Sequence, residues 1–193
     1  MNYLEHITGE EIERLPYVSF GGKITLVEKL SLVPAMVEYL LAQSVLGYDT
    51  ETQPCFTKGD RHRMSLVQLS SGDEAFLIRV DKIGFPAALI PVLQSPDIIK
   101  VGAAIHDDIK GMQRMHRFTP RGFIDLQKYV EQFGILDKAV KKMAAIVLQL
   151  RISKSQQTSN WARKRYTEEQ KKYAATDAWV CREIYLGLQK NSE

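Results

Sequence analysis

Short apolar runs alternate with helical patterns along this chain, and that alternation restricts the fold more than any other feature of the sequence. The run Ser44–Asp49, SVLGYD, ends in an acid and reads as a buried strand with a polar group at its C-terminal edge. Met64–Leu69 and Glu74–Val80 read as two more strands, joined by the turn Ser70–Asp73 into a hairpin. Ile98–Val101 is a further short buried strand. Helical stretches cover Ser31–Gln43, with Pro34 tolerated in its first turn, and also Pro86–Leu93 and Ala104–Met115. Asp137–Leu148 reads as a helix with an acid in its first turn. Thr167–Leu188 reads as a long one, where Thr167 and Gln170 suit a capping box. Val18–Val27, interrupted by Gly21-Gly22, looks extended, and Gly9–Leu15 forms a short helix stopped by Pro16. A hairpin followed by helix–strand–helix alternation predicts an α/β domain on a mixed sheet.

A length of 193 residues fits one domain, and no interdomain linker or repeat interrupts it. A globule of this size buries about 70% of its unfolded surface, so a sizeable core is available. Hydrophobic residues at 45% and charged residues at 25% are the ordinary globular balance. No apolar run approaches the roughly 18 residues that a bilayer span needs. The start, MNYLEHITGEEIERL, lacks the basic-then-apolar order of a secretory signal. Cys55 and Cys181 are far apart, with no CxxC spacing or Cys/His series, which points to a reducing, cytoplasmic setting without a structural zinc.

The net charge of +3 mildly favours an anionic partner. Basic residues cluster at Lys58, Arg61 and Arg63, at Lys141-Lys142, at Lys154, at Arg163–Arg165 and at Lys171-Lys172. A solvated surface accounts for most of them individually. Those near acids are candidates for phosphate contact.

The acids form a pattern of their own. In a strand, Asp49 and Glu51 point to the same face, where two carboxylates repel unless a proton or a cation lies between them. A hard divalent cation suits such oxygen ligands. A surface acid pair at a strand end is the plain alternative. In Ile105-His106-Asp107-Asp108-Ile109 the isoleucines mark a buried stripe, with Asp108 beside it and Asp107 elsewhere around the helix. Tyr173 and Asp177 are i,i+4 on one helical face, and Ala174-Ala175 let that helix approach a sheet closely. Each of these has an ordinary structural reading by itself. Together, acids after a first strand, near a later helix start and on a final helix can converge at one sheet edge. Phosphodiester hydrolysis needs such convergence, with two cations about 3.5–4 Å apart. No histidine base is required, in keeping with four histidines and no Ser/His/Asp spacing.

With these residues the chain resembles the 3′–5′ exonuclease domains of the ribonuclease H-like superfamily, in the group with four acids and a tyrosine, to which ribonuclease D and the Werner-syndrome exonuclease domain belong. YDTET is similar to the first motif, KVGAAIHDDI to the second and YAATD to the third. The glycine-to-acid spacing of the second selects Asp108 over Asp107. The likeness runs from about Ser31 to Leu188. It implies a five-stranded mixed sheet with its second strand antiparallel, flanked by helices, and a site holding two divalent cations, Mg2+ or Mn2+. Asp49 would bridge both cations, Glu51 and Asp177 would contact one, and Asp108 would bind the other through water. Tyr173 would orient the nucleophile. The implied reaction shortens nucleic acid from a 3′ end and releases nucleoside 5′-monophosphates, DNA and RNA being equally open as the strand. Arg61, His62, Lys154, Trp161 and Arg163 are candidate nucleic-acid contacts, although Trp161 serves equally as a packing anchor for the irregular segment 153–165.

The chain departs from the family pattern at Tyr48, where a phenylalanine-like residue is familiar, and in ARKRYTEEQ, where a proline–leucine pair is common. The expectation is a single exonuclease domain over residues 1–193 without the helical nucleic-acid-binding domains that follow in ribonuclease D, so that processivity and RNA preference are not carried over. A catalytically weak nucleic-acid-binding or scaffold protein on the same fold is the alternative reading. A phosphohydrolase of small nucleotides is a third, for which no Walker loop is present.

Overall fold

A computed structural model describes residues 3–53 and 63–190. Its strands are β1 (Lys23–Val27), β2 (Val45–Thr52), β3 (Met64–Ser70), β4 (Glu74–Ile78), β5 (Ile99–Gly102) and β6 (Phe123–Asp125). They form one sheet in the order β1-β4-β3-β2-β5-β6. β1 runs parallel to β4, and β2, β5 and β6 are mutually parallel. β3 is antiparallel to both of its neighbours.

The expected five strands are therefore corrected to six among the described residues. β2 to β6 keep the anticipated arrangement, with the second of them reversed. The sixth is β1, which lies within the stretch that looked merely extended. It covers the outer edge of β4, whose outward-facing backbone groups between Glu74 and Ile78 would otherwise lack ladder partners. The glycines before it have a positional cause. A β carbon on Gly22 would lie 2.3 Å from the Asp73 carbonyl oxygen, so the chain enters β1 by pressing against the hairpin turn. β6 has only three residues, all half-buried, and carries no alternation to reveal it.

Helices cover both faces of the sheet. On one face Tyr48, Val67, Leu69, Phe76 and Ile78 pack against Val33–Leu41, Ile90–Gln94 and His106–Met115. On the other lies the long helix Glu168–Lys190, with Val140–Leu148 packed beside it. Thr167 and Gln170 make the reciprocal bonds of a capping box at its start, 3.1 and 3.2 Å. Other helix boundaries shift from the sequence reading for tertiary reasons. The helix expected from Asp137 starts at Val140, because Asp137 accepts the backbone N–H of Ile7 at 2.9 Å and pairs with Lys142 at 2.8 Å. The helices expected over Ser31–Gln43 and Pro86–Leu93 each begin with a 3-10 turn, Leu30–Leu32 and Ala87–Leu89, and each α-helix carries a proline in its first turn. Among the described residues no helix is long and apolar enough to cross a membrane.

The long helix approaches β2 closely because both partners are small where they meet. A β carbon on Gly47 would lie 1.8 Å from the backbone oxygen of Ala178. Ala174, Ala175 and Ala178 are all fully buried on this side. Gly47→Ala must push the helix away from the sheet. The expected result is a loss of at least about 1–3 kcal/mol, read by chemical denaturation, whereas Gly9→Ala, with nothing within 4 Å of the added carbon, costs nothing.

Candidate active site

The alternation of β2 divides its side chains between two environments. Tyr48 is fully buried on the face of the His106–Met115 helix, edge-on to Phe123 at 5.5 Å. Gly47, Asp49 and Glu51 share the opposite face, under the long helix. The contact at Gly47 and Ala178 brings the adjacent Asp177 down to this row. Carboxylate oxygens of Asp49, Glu51 and Asp177 then all lie within 4.8 Å of one another, each residue half-buried. They line a cleft of about 210 Å³ together with Tyr173, Lys154 and Gln157.

Such a grouping is electrostatically costly. Two unit charges at that separation repel by about 3 kcal/mol at an effective dielectric of about 20. Burial, then the charges of Asp177 and Asp108, holds Asp49 well above the usual carboxylate range. Burial, then Asp49, Asp177 and Asp108, raises Glu51 as well. Burial raises Asp177 too, against the opposing pull of the Tyr173 hydroxyl and the Lys154 charge. The Tyr173 phenol is itself pushed upward, first by burial and then by Asp177, so it remains a neutral hydroxyl at ordinary pH. Three crowded carboxyls in a water-accessible cleft fit a hard divalent cation. It would replace mutual repulsion with shared attraction and uses oxygen ligands.

Asp108 lies beside this group rather than within it. It sits near the start of the His106–Met115 helix and accepts the Thr50 hydroxyl at 2.7 Å. Asp107 points into solvent with its side chain 92% exposed, beside Lys110. The sequence reading passed over Thr50, although it stands between the two acids of the first motif. Cys181, whose spacing to Cys55 suggests no ligand role, lines the cleft one helical turn after Asp177.

The candidate nucleic-acid contacts separate. Lys154 is exposed at the cleft and its charge reaches Asp177. Arg163 is exposed nearby, its Nη1 donating to Gln170 at 3.4 Å. Trp161 is only 1% exposed and packs against Tyr166 and Tyr173, so it anchors the segment and offers no ring face to a strand. Arg79 fixes the same segment, donating to the Arg163 carbonyl at 3.0 Å and stacking over Tyr166. Arg61 and His62 lie outside the described residues.

A mixed sheet with one reversed strand, and acids meeting between its central strand and a final helix, define a ribonuclease H-like nuclease class. The sequence profile of the 3′–5′ exonuclease family matches residues 24–193, and the chain belongs to that family. It is 29% identical over 192 residues to the exonuclease mut-7 homolog of Aedes aegypti, covering 86% of this chain and 26% of that protein. It is 30% identical over 189 residues to the mouse (Mus musculus) bifunctional 3′–5′ exonuclease/ATP-dependent helicase WRN, covering 91% of this chain and 13% of that one. The chain thus spans well under half the length of these relatives. Among solved structures, the Aedes aegypti Nibbler EXO domain superposes with a TM-score of 0.80 at 26% identity, over 90% of this chain and 91% of that one.

The raised carboxyl groups make a prediction about the cation-free protein. A group held above its unfolded value contributes stability that is complete below about pH 4 and is lost as pH rises through the folded value. Asp49→Asn removes one member of the crowd. With chelator at pH 8 it should melt roughly 2–8 °C above the parent, because asparagine escapes the cost of burying an acid among acids that the parent meets only by holding a proton, about 1–2 kcal/mol, and the difference should shrink toward pH 4. Thermal melts across that range check both the sign and the convergence.

Proposed function

We propose that this chain is a divalent-metal-dependent 3′–5′ exonuclease that shortens a nucleic-acid strand and releases nucleoside 5′-monophosphates. The observation that carries the reading is the meeting of Asp49, Glu51 and Asp177, with Tyr173 one helical turn from Asp177, on the fold of the exonuclease family. Asp49, Glu51 and Asp177 would hold one cation. Asp49 and the neighbouring Asp108 mark the side available to a second, with Mg2+ or Mn2+ as the natural occupants. Cations bound there supply an acidified water and charge neutralisation at the scissile phosphate.

The chain's own residues do the rest. Tyr173 keeps its proton, donates to Asp177 and lines the cleft, where its oxygen can fix the direction of an attacking water. Lys154 stands at the same cleft as a flexible point charge for a phosphate. Arg163, exposed on the adjoining segment, is a second phosphate contact.

The test uses 5′-labelled single strands of DNA and RNA with Mg2+ or Mn2+ and a chelator control. Progressive shortening from the 3′ end with mononucleotide products is expected. Asp49→Ala should lower turnover by about 10²–10³-fold or more, the scale of losing one electrostatic stabiliser. Tyr173→Phe should lower it by about 10–100-fold through misplacement of the nucleophile, with cation affinity retained. Undiminished turnover in Asp49→Ala under saturating metal would falsify the assignment.

A further inference from the structure

Gln68 lies on β3 directly opposite Asp49 on β2. Residues paired in this way share a face of the sheet, with β carbons about 4.5–5.5 Å apart. The Gln68 amide therefore stands in the same row as the Asp49 carboxylate, beneath the long helix. On its other side it is paired with Leu77 of β4, and Leu77 with Leu26 of β1. The row runs leucine, leucine, amide, carboxylate. Gln68 is fully buried, and neither its Oε1 nor its Nε2 has a hydrogen-bond partner.

An unpaired buried amide is costly, at about 1–3 kcal/mol for each unsatisfied group. A third leucine would extend the row without that cost. What glutamine adds is a donor within reach of a carboxylate that otherwise faces two more acids. A lysine or arginine in its place would cancel negative charge at the cleft. The amide donates a hydrogen bond and leaves the net charge unchanged.

We propose that Gln68 is a positioning residue that donates its Nε2–H to the Asp49 carboxylate and sets the angle at which Asp49 presents its oxygens to a cation. The proposal rests on the exonuclease reading of the site. Glutamine has the rotatable bonds to make this contact by a change of side-chain rotamer, and the two oxygens of the Asp49 carboxylate have the acceptor capacity for it. Carboxylates that ligate metals are themselves hydrogen-bonded, and loss of such a partner typically weakens metal binding by about 10–100-fold.

The experiment measures Mn2+ affinity by electron paramagnetic resonance of the free ion. It compares the parent, Asp49→Asn, Gln68→Met and the double variant, with a thermal melt of each in chelator. Methionine keeps the length and burial of glutamine and removes its polar atoms. Gln68→Met should raise the Mn2+ Kd by about 10–100-fold, leave the cation-free melting temperature equal or higher, and add little to the loss already caused by Asp49→Asn. Gln68→Leu, which continues the leucine row, should behave alike.

Parent-like affinity in Gln68→Met overturns the proposal while leaving the site intact. So does a loss that adds in full to that of Asp49→Asn, because the two residues would then act independently. Failure of both Gln68 variants to fold would make the amide a packing element and overturn it too. A parent that binds no Mn2+ removes the exonuclease reading and this inference together.

Discussion

The near-contact of two backbones, β2 at Gly47 and the long helix at Ala178, sets the geometry on which the site depends. The acids come from chain segments far apart in sequence, and neither segment can hold a cation by itself. A helix resting on larger side chains would stand farther from the sheet and lift Asp177 out of the row of Asp49 and Glu51. Glycine on the strand and alanines on the helix remove that spacing. The price is a core layer with little side-chain bulk at that point, and Val140–Leu148 and the Trp161 segment fill in around it.

That close approach concentrates negative charge where water is partly excluded. The fold holds the carboxylates against their repulsion through backbone pairing and helix packing, whose combined stability exceeds the local cost. The site is thereby organised before a cation arrives, so binding need not also order the chain. Tyr173 and Lys154 oppose the repulsion at Asp177, which leaves Asp49 and Glu51 as the most crowded pair.

Features written in local pattern were legible from the sequence, and features created by distant pairing were not. β2, the β3–β4 hairpin and β5 follow from apolar runs and turn residues, and the long helix follows from its cap at Thr167. β1 was visible only as extended chain, because its identity as a strand comes from pairing with β4 some fifty residues later. β6 is too short to show alternation. The side-by-side placement of Asp49 and Glu51 is a period-2 consequence, but the position of Asp177 above them requires the topology, and motif order supplied it through family resemblance. Asp108 was singled out by spacing, yet its bond to Thr50 joins the opposite face of β2 to another helix. For Trp161 the sequence allows both anchor and surface, since nothing in an irregular segment tells which way its large side chain turns.

The strand lengths have a consequence for the molecule among its own copies. The two edge strands of the sheet have five and three residues, while the eight-residue β2 lies in the interior, paired with β3 from Gly47 to Thr52 and with β5 from Val45 to Gly47. A strand from a neighbouring molecule would find short ladders to extend at either edge, and the exposed Lys23 at the start of β1 adds a charge at one of them. The longest strand, which carries two of the acids, has β3 along one side and does not form an edge of the sheet. The arrangement that places the acids centrally therefore also limits intermolecular β-pairing, and with it one route to aggregation.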